Sequence, residues 1–163
     1  YNQSIKVREQ LVKNFPGKTE FQEDLAIEYS IVGEYDRSYK IYDELEKTYG
    51  INEQITLNKI KLLKNQKKFK ETEDELLKLA ASNKSEPRYL AYLADFYIEQ
   101  QKLDKAKEMY DQILKIDPNN PSINLALHDY YSAQGKDNEA YEYLKKAFQN
   151  PDLEVDYKID AAK

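Results

Sequence analysis

The one histidine of this chain, His128, stands directly before Asp129, the pairing that a general base or a metal site would need first. Neither chemistry can be completed from the remaining composition. There is no Cys and no second His, so a metal ion would have to rely on carboxylates alone. Ser, His and acidic residues show neither the nucleophile-elbow nor the zincin spacing, and no glycine-rich loop could cradle a phosphate. His128 is therefore expected to be a packed or capping side chain, and neither metal nor cofactor is expected. The acidic run Glu71, Glu73, Asp74 and Glu75 lies between Lys70 and Lys78, and on a helix it reads as a solvated charged face. The chain is expected not to be an enzyme.

Elements that repeat take the place of a reaction centre. Windows opening at Thr19, Glu53, Pro87 and Pro121 lie 34 residues apart and align without gaps. Their eleventh positions are Tyr29, Leu63, Tyr97 and Tyr131, and their twenty-fourth are Tyr42, Leu76, Tyr110 and Leu144. The twentieth are uniformly small, Ser38, Thr72, Ala106 and Ala140, while Leu45, Leu79, Ile113 and Ala147 fill the twenty-seventh. A period of this length marks units that cannot bury their apolar faces alone and must stack.

Within a unit the apolar spacing is helical twice. Leu90, Leu93, Phe96 and Tyr97 recur at three and four residues, as do Leu103, Ala106, Met109, Tyr110 and Ile113 after the polar break Gln100 to Lys102. Gly33 and Gly135 fall in equivalent breaks, where a residue free to take positive φ ends the first helix. Asn120 is a suitable N-cap before Pro121, and Ser85 or Glu86 serves before Pro87. Small residues at the twentieth position, faced by Ala26 and Ala94 at the eighth, let two helices approach closely. Carried backwards, the frame puts Ser4 in the small column and Leu11 in the apolar one, although Arg8 breaks the match.

With 34% charged residues, 40% hydrophobic ones and only 4 Gly, the chain must be rich in regular elements rather than disordered. The net charge of -5 argues against a nucleic-acid partner, which calls for a basic stripe. No apolar run approaches membrane-spanning length. The absence of Cys removes disulfides without choosing a compartment. Tyr is abundant, at 15 residues against no Trp. Tyr29, Tyr42, Tyr97, Tyr110 and Tyr131 occupy core columns, while Tyr39, Tyr92, Tyr141 and Tyr143 are candidates for a contact patch.

The length of the unit, the small eighth and twentieth positions, Tyr at the eleventh, an aromatic at the twenty-fourth and Pro118 at the thirty-second together resemble the tetratricopeptide repeat. Pro87 to Asn120 matches best, and Pro121 to Glu154 follows. The pattern departs at the fourth position, where Gln22, Thr56, Leu90 and Asn124 replace the usual Trp, and in the second unit, where Lys59 and Ile60 fill the seventh and eighth. The resemblance implies an all-α fold, a right-handed α-α superhelix or solenoid of stacked antiparallel helix pairs. One array is expected over 1-163: 1-18 as the second helix of a truncated repeat, then 19-52, 53-86, 87-120 and 121-154 as repeats, with 155-163 opening another.

What the resemblance implies for function is a non-catalytic interaction scaffold that holds a protein or peptide segment along a concave groove lined by the first helices. The family's lining positions fall here on Ile27, Lys61, Lys64, Arg88, Tyr92, Asp95, Glu99 and Asp129, among others. Lys61, Lys64 and Arg88 are the cations of that surface, suited to acidic or aromatic partner segments beside Tyr92. The chaperone-tail subtype of the family is set aside, because Asp95 and Asp129 would repel a terminal carboxylate where that subtype carries Lys, Asn or Arg. Two other readings compete. One is a structural spacer or oligomerisation segment of a longer array, in which copies pack through terminal half-repeats. The other is a regulatory domain of a larger protein.

Overall fold

The computed structural model describes residues 2–151, and what is said below concerns those residues. They form nine α-helices and no strand, in the order α1 (Asn2–Asn14), α2 (Thr19–Ile31), α3 (Tyr35–Tyr49), α4 (Glu53–Asn65), α5 (Phe69–Ser82), α6 (Pro87–Glu99), α7 (Leu103–Ile116), α8 (Pro121–Ser132) and α9 (Asp137–Gln149). Helices α2 with α3, α4 with α5, α6 with α7 and α8 with α9 pack as hairpins. The first helix of each hairpin opens at Thr19, Glu53, Pro87 or Pro121. The segment 155-163, expected to open a further repeat, lies outside the described residues.

Local chemistry fixes these ends. Asn52 Oδ1 accepts from the Ile55 N–H at 3.2 Å and Asn120 Oδ1 from the Ile123 N–H at 3.1 Å, each satisfying one of the unpaired donors of a helix start. Glu86, rather than Ser85, caps α6, accepting from the Arg88 N–H at 3.3 Å. Pro87 and Pro121 sit in the first turn, where a missing N–H is no loss.

The turn inside each hairpin has one design used four times. One residue just past the first helix takes positive φ: Gly33 at 82°, Lys67 at 56°, Gln101 at 58° and Gly135 at 69°. The next residue's N–H then reaches back to the eleventh position of its unit. Glu34 donates to the Tyr29 carbonyl at 2.8 Å, Lys68 to Leu63 at 2.9 Å, Lys102 to Tyr97 at 2.8 Å and Lys136 to Tyr131 at 3.0 Å. This is the Schellman closure, and it satisfies carbonyls that the helix end would leave bare.

The chain divides into two compact units between Asn83 and Lys84. In the first, Ala26, Tyr42, Leu45 and Leu62 form one buried cluster, and Ile5, Leu25 and Tyr29 form another that joins α1 to α2. In the second, Leu93, Ala94, Phe96, Ala106, Ile113 and Leu127 are all at most 1% exposed. The small twentieth column is buried throughout, and in the first hairpin Ser38 Oγ donates to the Ala26 carbonyl at 2.6 Å across the close approach. His128 occupies the matching place in α8, its Nδ1 donating to the Ala140 carbonyl at 3.1 Å; it is a packed side chain.

Three expectations need correction. Glu75 does not belong to a solvated acidic face: it is 8% exposed and paired to Lys59, while Glu71 and Asp74 remain in solvent. Tyr131 is half-buried rather than core, because it stacks on Tyr143 at 5.5 Å and meets Tyr130 edge-on at 5.2 Å instead of entering an aliphatic cluster. Tyr39 is no free contact residue, since its hydroxyl donates to Glu75 Oε1 at 2.6 Å.

Candidate functional site

The first helices carry the residues expected to bind. In the first unit α2 presents Ile27, 48% exposed, and one turn on Ile31, 61% exposed. Both edge a cleft of about 110 Å³ whose other walls are Ser30, Tyr42, Asn58, Lys61 and Leu62. Ile27 and Lys61 are thus brought together, although they come from different first helices. Lys64 follows Lys61 by three residues in the last turn of α4, where a cation complements the exposed carbonyls.

In the second unit Arg88 turns to its own helix start, with Nη2 3.6 Å from Glu86 and the guanidinium 5.9 Å from the Tyr89 ring. Tyr92 is half-buried and stacks on Tyr89, centroids 6.5 Å apart. Asp95 on α6 and Asp129 on α8 are both exposed and converge on Tyr110. Burial chiefly, and then these two carboxylates, push the Tyr110 hydroxyl above its usual pKa. Glu99 is exposed in the last turn of α6. The second unit therefore presents Asp95, Glu99 and Asp129 on its first helices, whereas the first presents Lys61 and Lys64 on α4 and the exposed Glu20 and Asp24 on α2.

Sequence reasoning missed the most strongly charged feature of the first unit. Lys59 is 0% exposed, and its ammonium lies 2.8 Å from Glu46 Oε2, 2.7 Å from Glu75 Oε1 and 3.4 Å from Asp43 Oδ1. Three protons meet three carboxylates drawn from α3 and α5. Thr56 Oγ1 donates to Glu46 Oε1 at 3.3 Å, Lys78 pairs with Glu46 from the surface, and the Lys59 ammonium sits 4.9 Å from the Tyr39 ring. Burial works against the Lys59 charge, yet the hydrogen bonds to Glu46 and Glu75 outweigh it and raise its pKa. For Glu46 burial pulls upward and the bonds from Lys59 and Lys78 pull further downward, so the carboxyl stays below its usual range. The network ties α4 to both α3 and α5 at a point two residues before Lys61.

A signal for it was present in the columns. At the seventh position Lys59 stands where Leu25, Leu93 and Leu127 are buried. Glu75 shares its column with Ile41, Met109 and Tyr143, and Glu46 shares its own with Ala80, Leu114 and Phe148. One buried cation is answered by two acids, each in a column that is otherwise apolar.

No cluster of His, Cys, Asp and Glu among the described residues is arranged to hold a metal ion, and no described helix is long and apolar enough to cross a membrane. The hairpins, their shared turn and their small-residue contacts define an all-α helical repeat protein. Residues 97–152 match the tetratricopeptide repeat family model. No curated protein matches the chain. Among solved structures it is similar to a crystal structure of MamA, with a TM-score of 0.64 and 19% identity over 89% of this chain and 85% of that one. MamA from Desulfovibrio magneticus RS-1 gives 0.61 and 17%, covering 91% of this chain and 84% of that one. YrrB, described as a TPR protein with an unusual peptide-binding site, gives 0.60 and 13% over 93% and 79%. The tetratricopeptide repeat match thus lies in the second half of the chain, and the likeness to these solved structures shows that the fold as a whole is of the same kind.

Proposed function

We propose that this protein is a non-catalytic interaction scaffold whose first helices hold a segment of a partner protein. The observation that carries the reading is the pair of exposed aliphatic side chains Ile27 and Ile31 on α2, beside an open cleft walled by the next first helix, α4. Exposed aliphatic surface next to polar donors is costly to leave in water and is useful when a partner covers it. At about 110 Å³ the cleft is smaller than the roughly 300–1,000 Å³ of small-molecule sites, and it suits a side chain from a longer ligand. Helices already formed lower the ordering cost of such binding. The peptide-binding site named for YrrB, a protein of the same fold, agrees with this use of the architecture.

The net charge of -5 favours a protein partner over nucleic acid. Tetratricopeptide-repeat proteins serve generally as interaction scaffolds, which supports the same choice. The test uses a partner isolated with the native protein and titrated by calorimetry. Ile31→Asp and Tyr92→Ala, both on first helices, are expected to weaken binding by roughly tenfold or more, taking about 1.4 kcal/mol per tenfold. Tyr141→Ala, on the second helix α9, is expected to leave affinity unchanged. The reverse pattern would place the partner on the second helices and refute the reading.

A further inference from the structure

We infer that the cleft between α2 and α4 reads one carboxylate side chain set beside an aliphatic one, so that the partner segment is acidic-aliphatic rather than polyacidic. The inference rests on the scaffold reading above and adds the ligand's chemistry to it. Its basis is the unbalanced polarity of the cleft. Lys61 is exposed and forms neither a hydrogen bond nor an ion pair among the described residues, whereas Lys59, two residues earlier, meets three carboxylates. Asn58, also in the cleft wall, accepts through its Oδ1 from Gln54 Nε2 at 3.4 Å, while its own amide N–H groups donate to no described residue. The polar end of the cleft thus supplies an ammonium and an amide as donors, and a carboxylate is the side chain that accepts from both while neutralising the charge.

Apart from Ser30, the rest of the wall is apolar or aromatic. Ile27, Ile31 and Leu62 leave room for one aliphatic side chain, and the Tyr42 ring closes the floor with its hydroxyl buried. The charge of Glu23, also on α2, reaches that hydroxyl. A run of acids would place a second carboxylate towards Glu23 and be repelled; a single acid paired with Leu, Ile or Val would not.

A random twelve-residue peptide library displayed on phage and selected against the whole protein provides the test, with Lys61→Glu and Lys40→Glu as parallel baits. Lys40 is exposed on the second helix α3, so its reversal changes bulk charge without touching the cleft. Wild type and Lys40→Glu are expected to enrich peptides with one Asp or Glu beside an aliphatic residue, and Lys61→Glu to lose that preference. In fluorescence polarisation a selected peptide should bind Lys61→Glu roughly five- to tenfold more weakly, as should its Asp→Asn counterpart bind wild type. Peptides that enrich equally on Lys61→Glu would overturn this inference and leave the scaffold standing. Enrichment of no peptide on any bait would overturn both.

Discussion

Lys59 shows how a buried charge can hold a repeat together without adding much net stability. The attraction among Lys59, Glu46 and Glu75 must offset the cost of removing all three from water, and such trades come out near balance. Removing one member does not balance. Lys59→Leu restores the residue type of the other repeats but takes the buried cation from Glu46 and Glu75, leaving them Lys78 at the surface and the hydroxyls of Thr56 and Tyr39, and it should destabilise the fold by about 3 kcal/mol in urea unfolding. Lys59→Leu with Glu46→Leu and Glu75→Met supplies the whole apolar column set and should recover most of that loss. Failure of the triple variant to recover would mean that the network is more than a compensated substitution.

The same residues set a pH dependence. Glu46 and Asp43 have lowered pKa values, Glu46 because the bonds and charges of Lys59 and Lys78 together outweigh burial and Asp43 chiefly through its bond to Lys47. A carboxyl with a lowered folded value contributes stability above its unfolded pKa, and that contribution drains away as pH falls through the folded value. Lys59, with a raised value, contributes at all pH below the ordinary lysine range and so does not oppose this trend. Stability should therefore fall as pH drops below about 4, and less so in the triple variant, as read by the urea midpoint at successive pH values.

The turn that closes each hairpin asks for left-handed backbone, and two of the four are not glycine. Gln101 at φ 58° and Lys67 at φ 56° hold a conformation that costs an L-residue roughly 1–2 kcal/mol, part of which glycine's larger unfolded-state entropy cancels. Gln101→Gly and Lys67→Gly should each raise stability by about 0.5–1 kcal/mol in thermal melts, and Gly33→Ala should lower it. A second element-level test lies where α6 and α7 cross. Ala94 and Ala106 are both 0% exposed, so Ala106→Leu should cost roughly 1–3 kcal/mol through overpacking.

Sequence alone revealed these features unevenly, for physical reasons. The breaks at Gly33 and Gly135 were visible because glycine announces positive φ, whereas Lys67 and Gln101 adopt it only because the flanking helices and the Schellman bonds impose it. Asn120 and Pro121 marked a helix start because capping is local. The fate of Glu75 is not local. Its surroundings on α5 are charged, and only the arrival of Lys59 from α4 and Tyr39 from α3 removes it from water.

For the molecule as a whole, both compact units repeat one hairpin plan but differ in what they bury and what they show. The first buries Lys59, Glu46 and Glu75 and presents Lys61; the second has Asn124 as its buried polar residue among those described and presents Asp95 and Asp129. The recurring columns made the hairpins readable, and the tetratricopeptide resemblance supplied the lining positions. Pairing Ile27 with Lys61 in one cleft required coordinates, because the alignment ranks positions within a unit and not across neighbours.

Amide hydrogen exchange on the intact protein, alone and saturated with a display-selected peptide, bears most directly on the proposal that first helices receive the partner. Added protection is expected on α2, α4, α6 or α8, with the Ile27 to Ile31 and Asn58 to Leu62 segments foremost. Protection confined to α3, α5, α7 and α9 would contradict it.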